Sequence, residues 1–208
     1  MRPQTKILPQ EFYVAVSGGA DSIALAYYLG YHYKHLPMTQ RRLKGLIYVN
    51  HRTQFGALCQ PFVQDFADSL NTTCHVFQLE DIEDKPKELS LESWWHHQRK
   101  QYFNDLDHPI VTAHHLDDAV ETWYMGNMFG DKRFLTWVSG RVYRPLLLTK
   151  KTQIYEYCKR ENINWLEDPS NQETHYLRNG IRHMLSNSTK AIQDLSYARV
   201  KAILKEQL

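Results

Sequence analysis

An open, doubly wound parallel sheet with helices on both faces, followed by a short helical C-terminal segment, is the α/β fold this sequence predicts. Three observations predict it. Short runs rich in β-branched and aromatic residues alternate with segments whose apolar residues recur at helical spacing. A glycine-rich turn, Ser17-Gly18-Gly19-Ala20-Asp21-Ser22, joins the first run to the first helical segment. Polar clusters at 17–22, 50–52 and 114–121 follow the ends of three runs, which is where ligands sit on sheets of this kind.

The elements follow in order. Phe12–Val16 reads as a strand and Ile23–Leu29 as a helix, and Leu43–Val49 reads as a second strand ending in Asn50-His51-Arg52. Phe62, Val63, Phe66, Ala67 and Leu70 fall at helical spacing and predict a helix over about 55–70. Cys74–Leu79 alternates as a third strand, and the charged run Glu80–Glu88 predicts an exposed, solvated loop. A helix over Ser90–Leu106 precedes a short buried strand, Pro109–Ala113, and His114-His115-Leu116-Asp117-Asp118 opens the next helix. Between Phe129 and Ser139 the pattern weakens, with Gly130, Asp131 and Gly140 marking loops. Beyond them come a helix over Thr149–Glu161, a turn at Asp168-Pro169-Ser170-Asn171 and a helix over Tyr176–Ser186. The last twenty residues are amphipathic, and Ile192, Leu195, Val200, Ile203 and Leu204 are expected to pack inward.

A chain of 208 residues can bury a sizeable core. Division into a domain over 1–145 and a helical extension over 146–208 packed on it is the expected organisation. With 25 basic and 23 acidic residues the net charge is +2, which neither requires nor excludes a nucleic-acid partner. Cys59, Cys74 and Cys158 form no C-x-x-C, so neither a disulfide framework nor a thiolate metal site is indicated, and a reducing, cytoplasmic setting fits. No apolar run approaches the ~20 residues of a bilayer span, so no membrane partner is expected.

The chemistry concentrates in the polar clusters. A strand, a glycine turn and a helix in succession aim backbone N–H groups and a positive helix end at one point, a cradle for polyphosphate. Ser17 and Ser22 add hydroxyls, and Asp21 can hold a metal ion near phosphate oxygens. The cradle lacks the lysine of G-x-x-x-x-G-K-[ST]. Phosphate charge must then be neutralised elsewhere, with Arg99, Arg144, Arg178 and Arg182 as candidates alongside Mg²⁺. In the 114–121 cluster, Asp117, Asp118 and Glu121 can share one side of a helix. The cation they imply is Mg²⁺ or a substrate ammonium; zinc is a third reading, without zinc-ligand spacing. The bland alternative is an N-capped surface helix, and His114 or His115 alone is more often structural than catalytic.

Taken together these residues resemble a family. Ser17–Ser22 is similar to the S-G-G-x-D-S loop of the PP-loop ATP pyrophosphatases, with their adenine nucleotide alpha hydrolase-like fold. Within them the chain resembles the tRNA(Ile)-lysidine synthetases. The resemblance rests on Val49-Asn50-His51, Ser90-Leu91-Glu92 with Trp94 and Arg99, and His114-His115-Leu116-Asp117-Asp118 with Glu121-Thr122. It continues through Arg144-Pro145-Leu146-Leu147 and Trp165–Asn171 into Tyr176, Arg178-Asn179 and Arg182. The resemblance implies that ATP adenylates the wobble cytidine of a tRNA(Ile) with a CAU anticodon. Free lysine then displaces AMP to leave lysidine. It implies that Ser17, Gly18, Gly19, Ala20, Asp21, Ser22, Asn50, His51 and Arg178 contact the nucleotide and that Asp21 binds Mg²⁺. Asp118 and Glu121 would hold the lysine, His114 would lie at the reacting centre, and Arg99 would face ATP or the activated intermediate.

Departures from the family pattern are Ala119 in place of Gln, His96 in place of a basic residue, Arg52-Thr53-Gln54 in place of G-L-R, and Met125-Gly126 in place of Arg-Gly. The resembled enzymes also carry C-terminal tRNA-gripping domains beyond the matched stretch, so a homodimer or an accessory RNA-binding partner stays open. Adenylation with another nucleophile, as in RNA thiolation, and a non-catalytic nucleotide- or RNA-binding module are the competing readings. Thiolating relatives commonly use paired cysteines, which are missing here.

Overall fold

The computed structural model describes residues 1–32, 42–131, 133–169 and 177–208. Among these, β1 (Glu11–Val16), β2 (Arg42–Asn50), β3 (Cys74–Gln78), β4 (Ile110–Val111), β5 (Val138–Ser139) and β6 (Val142–Tyr143) form one sheet. Its order is β3-β2-β1-β4-β6-β5. Every neighbouring pair is parallel except β5 and β6, which form an antiparallel hairpin at one edge. Seven α-helices accompany it: α1 (Ala20–Tyr27), α2 (Gln54–Ser69), α3 (Leu91–Asp105), α4 (Leu116–Phe129), α5 (Lys151–Arg160), α6 (Leu177–Ser186) and α7 (Lys190–Glu206). None is long and apolar enough to cross a membrane.

Alternation along the central strands decides what lies on each face. Phe12, Val14 and Val16 of β1 and Leu46 and Tyr48 of β2 pack with Ile23 and Ala24 of α1, Cys59, Val63 and Ala67 of α2, and Ile154, Tyr157 and Cys158 of α5. Tyr13, Ile47 and Val49 point the other way, into a core closed by Phe103 and Trp95 of α3. A third core joins Leu116, Ala119 and Val120 of α4 to Ile181 and Leu185 of α6 and Val200 and Leu204 of α7. The doubly wound arrangement is therefore the one predicted.

Two local expectations change. The weak-pattern stretch after Phe129 supplies β5 and β6, two strands of two residues each, too short to carry a period. The charged run at 80–88 is the exposed segment expected, with one added detail, a 3₁₀ turn over Ile82–Asp84. On α7 Val200 and Leu204 are buried as expected, but Ile192 is 48% and Leu195 71% exposed. Ser196 is the buried residue of that first half, its hydroxyl hydrogen-bonded to Tyr124 of α4 at 2.8 Å. The expected turn residues Ser170 and Asn171 and the helix start at Tyr176 lie outside the described residues.

The strand order reverses between β1 and β4: the chain runs outward from β1 through β2 to β3, then crosses to β1's other side. Such a switch point leaves a crevice beyond the carboxyl ends of the two strands. Both of the densest polar clusters, 17–22 and 114–118, start there.

Candidate active site

The turn after β1 is built by its own hydroxyls. Ser22 Oγ accepts from the Ser17 N–H at 3.0 Å and donates to the Gly19 carbonyl at 3.0 Å, closing the loop on itself. Gly18 adopts φ +84°, the left-handed region, and a Cβ there would lie 3.2 Å from Cys59 Sγ. A side chain at 18 would be strained by the backbone and crowded by α2. The Leu166 N–H bonds to the Gly18 carbonyl at 2.9 Å, fastening the far side of the turn. Gly19 caps α1 without any side-chain acceptor, so the first-turn N–H groups and the helix dipole point at open space.

That space is a cavity of about 270 Å³ lined by Ser17, Gly19 and Asp21 from the turn, His115 and Asp118 from the start of α4, Lys151 from α5, Arg182 from α6, and Phe55, Leu166 and Asp168. Asp21 Oδ2 lies 3.6 Å from His115 Nε2 and 3.9 Å from Lys151 Nζ. Its Oδ1 is buried with no hydrogen-bond partner among the described residues. An acceptor-only oxygen left this way at the mouth of a phosphate cradle suits a hard cation or its waters. Among the described residues there is no group of three or more metal-ligating side chains. Mg²⁺ commonly takes one or two carboxylates and completes its shell with phosphate and water. The residues fit that ion.

His115 caps α4. Its backbone N–H donates to Asp118 Oδ2 at 2.8 Å while the Asp118 N–H reaches its Nδ1 at 3.4 Å. Burial alone would strip the ring of its charge, but Asp118, Asp21 and Asp117 outweigh it and hold the His115 pKa above its usual value. Burial likewise opposes ionised Asp118, and His115, Arg178 and His114 overcome it and hold the carboxyl below its usual range. Asp117 is turned to structural use. Its Oδ2 accepts from the Lys151 N–H at 2.8 Å and its Oδ1 from the Tyr197 hydroxyl at 2.7 Å, tying α4 to α5 and α7.

Glu121 departs from expectation. Its side chain is only 3% exposed and sits between two guanidinium groups. Arg178 Nε donates to Oε2 at 2.8 Å, and Arg182 donates through Nε to Oε1 at 2.8 Å and through Nη2 to Oε2 at 3.2 Å. Arg178 Nη2 also reaches Asp118 Oδ1 at 3.3 Å. Glu121 therefore turns toward α6 rather than opening onto the cavity, and of the expected lysine-holding pair only Asp118 lines it. Arg178 and Arg182, four residues apart, lie on one side of α6 and meet the same carboxylate.

The remaining candidates form a flank outside the lining. His114 hydrogen-bonds Thr112 Oγ1 through Nδ1 at 2.9 Å. Burial outweighs the opposing field of Asp118 and, with smaller help from Arg144, Arg178 and Arg99, lowers its pKa to about 4. It is a buried neutral ring in the field of three arginines. Arg99 also acts on His51, whose pKa burial and Arg99 lower to about 4 and whose ring meets Trp95 edge-on at 5.0 Å. The Asn50 amide is engaged in its own turn, donating to Gln60 Oε1 at 2.9 Å and accepting the Arg52 N–H at 2.8 Å. Ala20 and Ser22 belong to the loop without lining the cavity. One departure from the family pattern has a structural reason: Ala119 is fully buried in the core between α4, α6 and α7. The glycine that the pattern keeps, Gly126, has no room for a side chain, since a Cβ there would come within 2.7 Å of the Arg133 carbonyl.

Comparison with known proteins comes to the same family. A family model described as a PP-loop domain matches residues 3–189. The chain is 29% identical over 206 residues to the tRNA(Ile)-lysidine synthase of Staphylococcus aureus strain N315, covering 92% of this chain and 46% of that protein. It is 31% identical over 192 residues to the tRNA(Ile)-lysidine synthase of Exiguobacterium sibiricum, covering 86% and 43%. The tRNA(Ile)-lysidine synthase of Enterococcus faecalis is 31% identical over 190 residues, covering 85% and 40%. The chain thus spans somewhat less than half the length of these relatives. Among solved structures, the U34-tRNA thiolase NcsA of Methanococcus maripaludis with its [4Fe-4S] cluster superposes with a TM-score of 0.72 at 16% identity, over 94% of this chain and 72% of that one. At that identity the likeness is one of fold.

Proposed function

We propose, from the premise that this chain belongs to the PP-loop domain family, that it cleaves ATP between the α and β phosphorus atoms to adenylate an RNA base. The base is the wobble cytidine of tRNA(Ile), and the nucleophile that follows is free lysine. The observation that carries the reading is the placing of the uncapped α1 terminus, the orphaned Asp21 oxygen and the Asp118 carboxylate around one cavity.

The first step joins the cytosine carbonyl oxygen to the α phosphorus and breaks the α–β bridge, with pyrophosphate leaving. Backbone N–H groups of the Gly19–Ser22 turn and the α1 dipole stabilise the charge that accumulates there. Mg²⁺, held by Asp21, would neutralise further phosphate charge. In the second step the lysine ε-amine attacks the activated ring carbon, AMP departs, and the amine gives up its proton. Asp118, ionised and facing the cavity, orients the amine. Glu121 acts at one remove by seating Arg178 and Arg182. The neutral His114 and its arginine flank form a surface for the polyanionic RNA.

The three thiols do not favour a sulfur-transfer reading. They lie in three separate elements, and burial pushes each above its usual pKa, Cys74 and Cys158 to about 11. The test is incubation with ATP, radiolabelled lysine and tRNA(Ile) bearing a CAU anticodon. Acid-stable label on the RNA with AMP released is the expected result; sustained RNA-dependent AMP release that is indifferent to lysine and leaves no label on the RNA would reject lysine as nucleophile. Asp118→Asn should lower lysine transfer roughly 100-fold while adenylation falls less. Equal loss of both steps would assign the carboxylate to ATP instead.

A further inference from the structure

The cradle has no lysine of its own, and the four arginines named from sequence do not replace it. Arg99 and Arg144 are not among the residues lining the cavity. Arg178 is not among them either, and Arg182, which does line it, is engaged through Nε and Nη2 with the Glu121 carboxylate at 2.8 Å and 3.2 Å and through Nη1 with Asn179 at 3.5 Å. The side chain that remains is Lys151, a residue that composition and spacing did not single out.

Lys151 opens α5 and lines the cavity with Ser17, Gly19 and Asp21. Its ammonium lies 3.9 Å from Asp21 Oδ2, an ion-pair distance too long for a hydrogen bond. Its backbone is fixed from two sides. The Lys151 N–H is held by Asp117 Oδ2 at 2.8 Å, and the preceding Thr149 carbonyl accepts the Leu116 N–H at 2.9 Å. These bonds set the start of α5 against the start of α4, and α5 itself packs on α1 through Cys158 and Ala20. The neighbouring Lys150 turns away, its ammonium 4.6 Å from the centre of the Tyr197 ring. One lysine of the pair is thus committed to α7 and the other to the cavity.

We infer that Lys151 is the cation that contacts the outer phosphates of ATP, doing from the start of α5 what a P-loop lysine does from within its own loop. The inference rests on the reading that the triphosphate occupies the cavity at the Ser17–Ser22 turn. Entry of a polyphosphate draws the ammonium from Asp21 to the β and γ oxygens, a short swing of a flexible stem, and frees the Asp21 carboxylate for a cation. Because the swing involves only the outer phosphates, AMP gains nothing from it.

The test is calorimetric titration of the full chain with ATP, inorganic pyrophosphate and AMP, for the wild type, Lys151→Met and Lys151→Arg. Lys151→Met is expected to weaken ATP and pyrophosphate roughly 10- to 100-fold, the cost of a charge-assisted hydrogen bond, with AMP changed by less than about twofold. Lys151→Arg keeps most of the affinity. Wild-type affinity for ATP in Lys151→Met, the same loss for AMP as for ATP, or an equal loss in Lys151→Arg would each overturn the assignment. A wild type that binds neither ATP nor pyrophosphate would instead reject the cradle on which it rests. The circular-dichroism melt of each variant accompanies the titrations, and a Lys151→Met melt matching wild type ties the loss to the ammonium.

Discussion

Asp21→Ala is expected to cut pyrophosphate release from ATP by at least about 100-fold, the order seen when a preorganised charge at a reacting oxygen is removed. The melting temperature should stay within about 2 °C of wild type. The two halves of this prediction have one cause. Asp21 Oδ1 is buried without a partner among the described residues, and Oδ2 stands 3.6 Å from His115 and 3.9 Å from Lys151, beyond hydrogen-bond distance, so what the folded state loses with the carboxylate is two long ion pairs. It also sheds an unsatisfied acceptor, which is neutral to favourable for folding. The hydroxyl bonds that shape the turn run between Ser17, Gly19 and Ser22 and do not involve Asp21. His115 keeps Asp117 and Asp118 as carboxylate neighbours at 3.5 Å and 3.4 Å. Turnover at the wild-type rate in Asp21→Ala, followed as pyrophosphate in a coupled assay, would remove Asp21 from the chemistry.

The second large effect is on stability, and it is asymmetric. Replacing both Arg178 and Arg182 by alanine should cost about 3–5 kcal/mol, because it leaves the Glu121 charge buried and uncompensated. Glu121→Ala should cost less, roughly 1–2 kcal/mol. The arginine side chains are 37% and 38% exposed against 3% for Glu121, so water takes over their solvation when the carboxylate is gone. Urea unfolding of the three proteins gives the order directly. A Glu121→Ala variant less stable than the double arginine variant would contradict the account of this cluster as a buried anion held by half-exposed cations. Either change should also loosen α6 from α4, since Glu121 is where the two helices meet through charge rather than through Ile181 and Leu185.

Local pattern was enough for the parts of the molecule where local chemistry decides. β1, its glycine turn and α1 combine an apolar run, a residue needing positive φ and a helix start, and all three fall within seventeen residues, 11–27. Ser90 and Thr189, each a cap whose hydroxyl accepts the N–H three residues on, mark the starts of α3 and α7. The β5–β6 hairpin was illegible because its strands owe their existence to β4 alongside, through the Ile110–Val142 and Val111–Tyr143 pairings. On α7 the period is real, yet only half of the face finds a partner, and no local feature distinguishes Leu195 from Val200.

Within the site, adjacent residues of the same type part ways twice. His114 and His115 are chemically the same, and the expectation fell on the first. The parallel bridge from His115 to Leu146 continues the sheet beyond β4 and directs His115 toward the cavity, leaving His114 on the arginine flank. Lys150 and Lys151 also part, where the Asp117 carboxylate accepts the Lys151 N–H and fixes the start of α5. Glu121 lies beside the cavity and faces Arg178 and Arg182. Its helical spacing from Asp118 was visible, whereas the approach of α6 was not.

The most direct test of the central claim is to separate the nucleotide products formed from ATP by the purified protein with tRNA and lysine. AMP and pyrophosphate in equal amounts, both lost in Asp21→Ala, are the predicted result. ADP and inorganic phosphate would contradict it, because they place the break at the γ phosphorus.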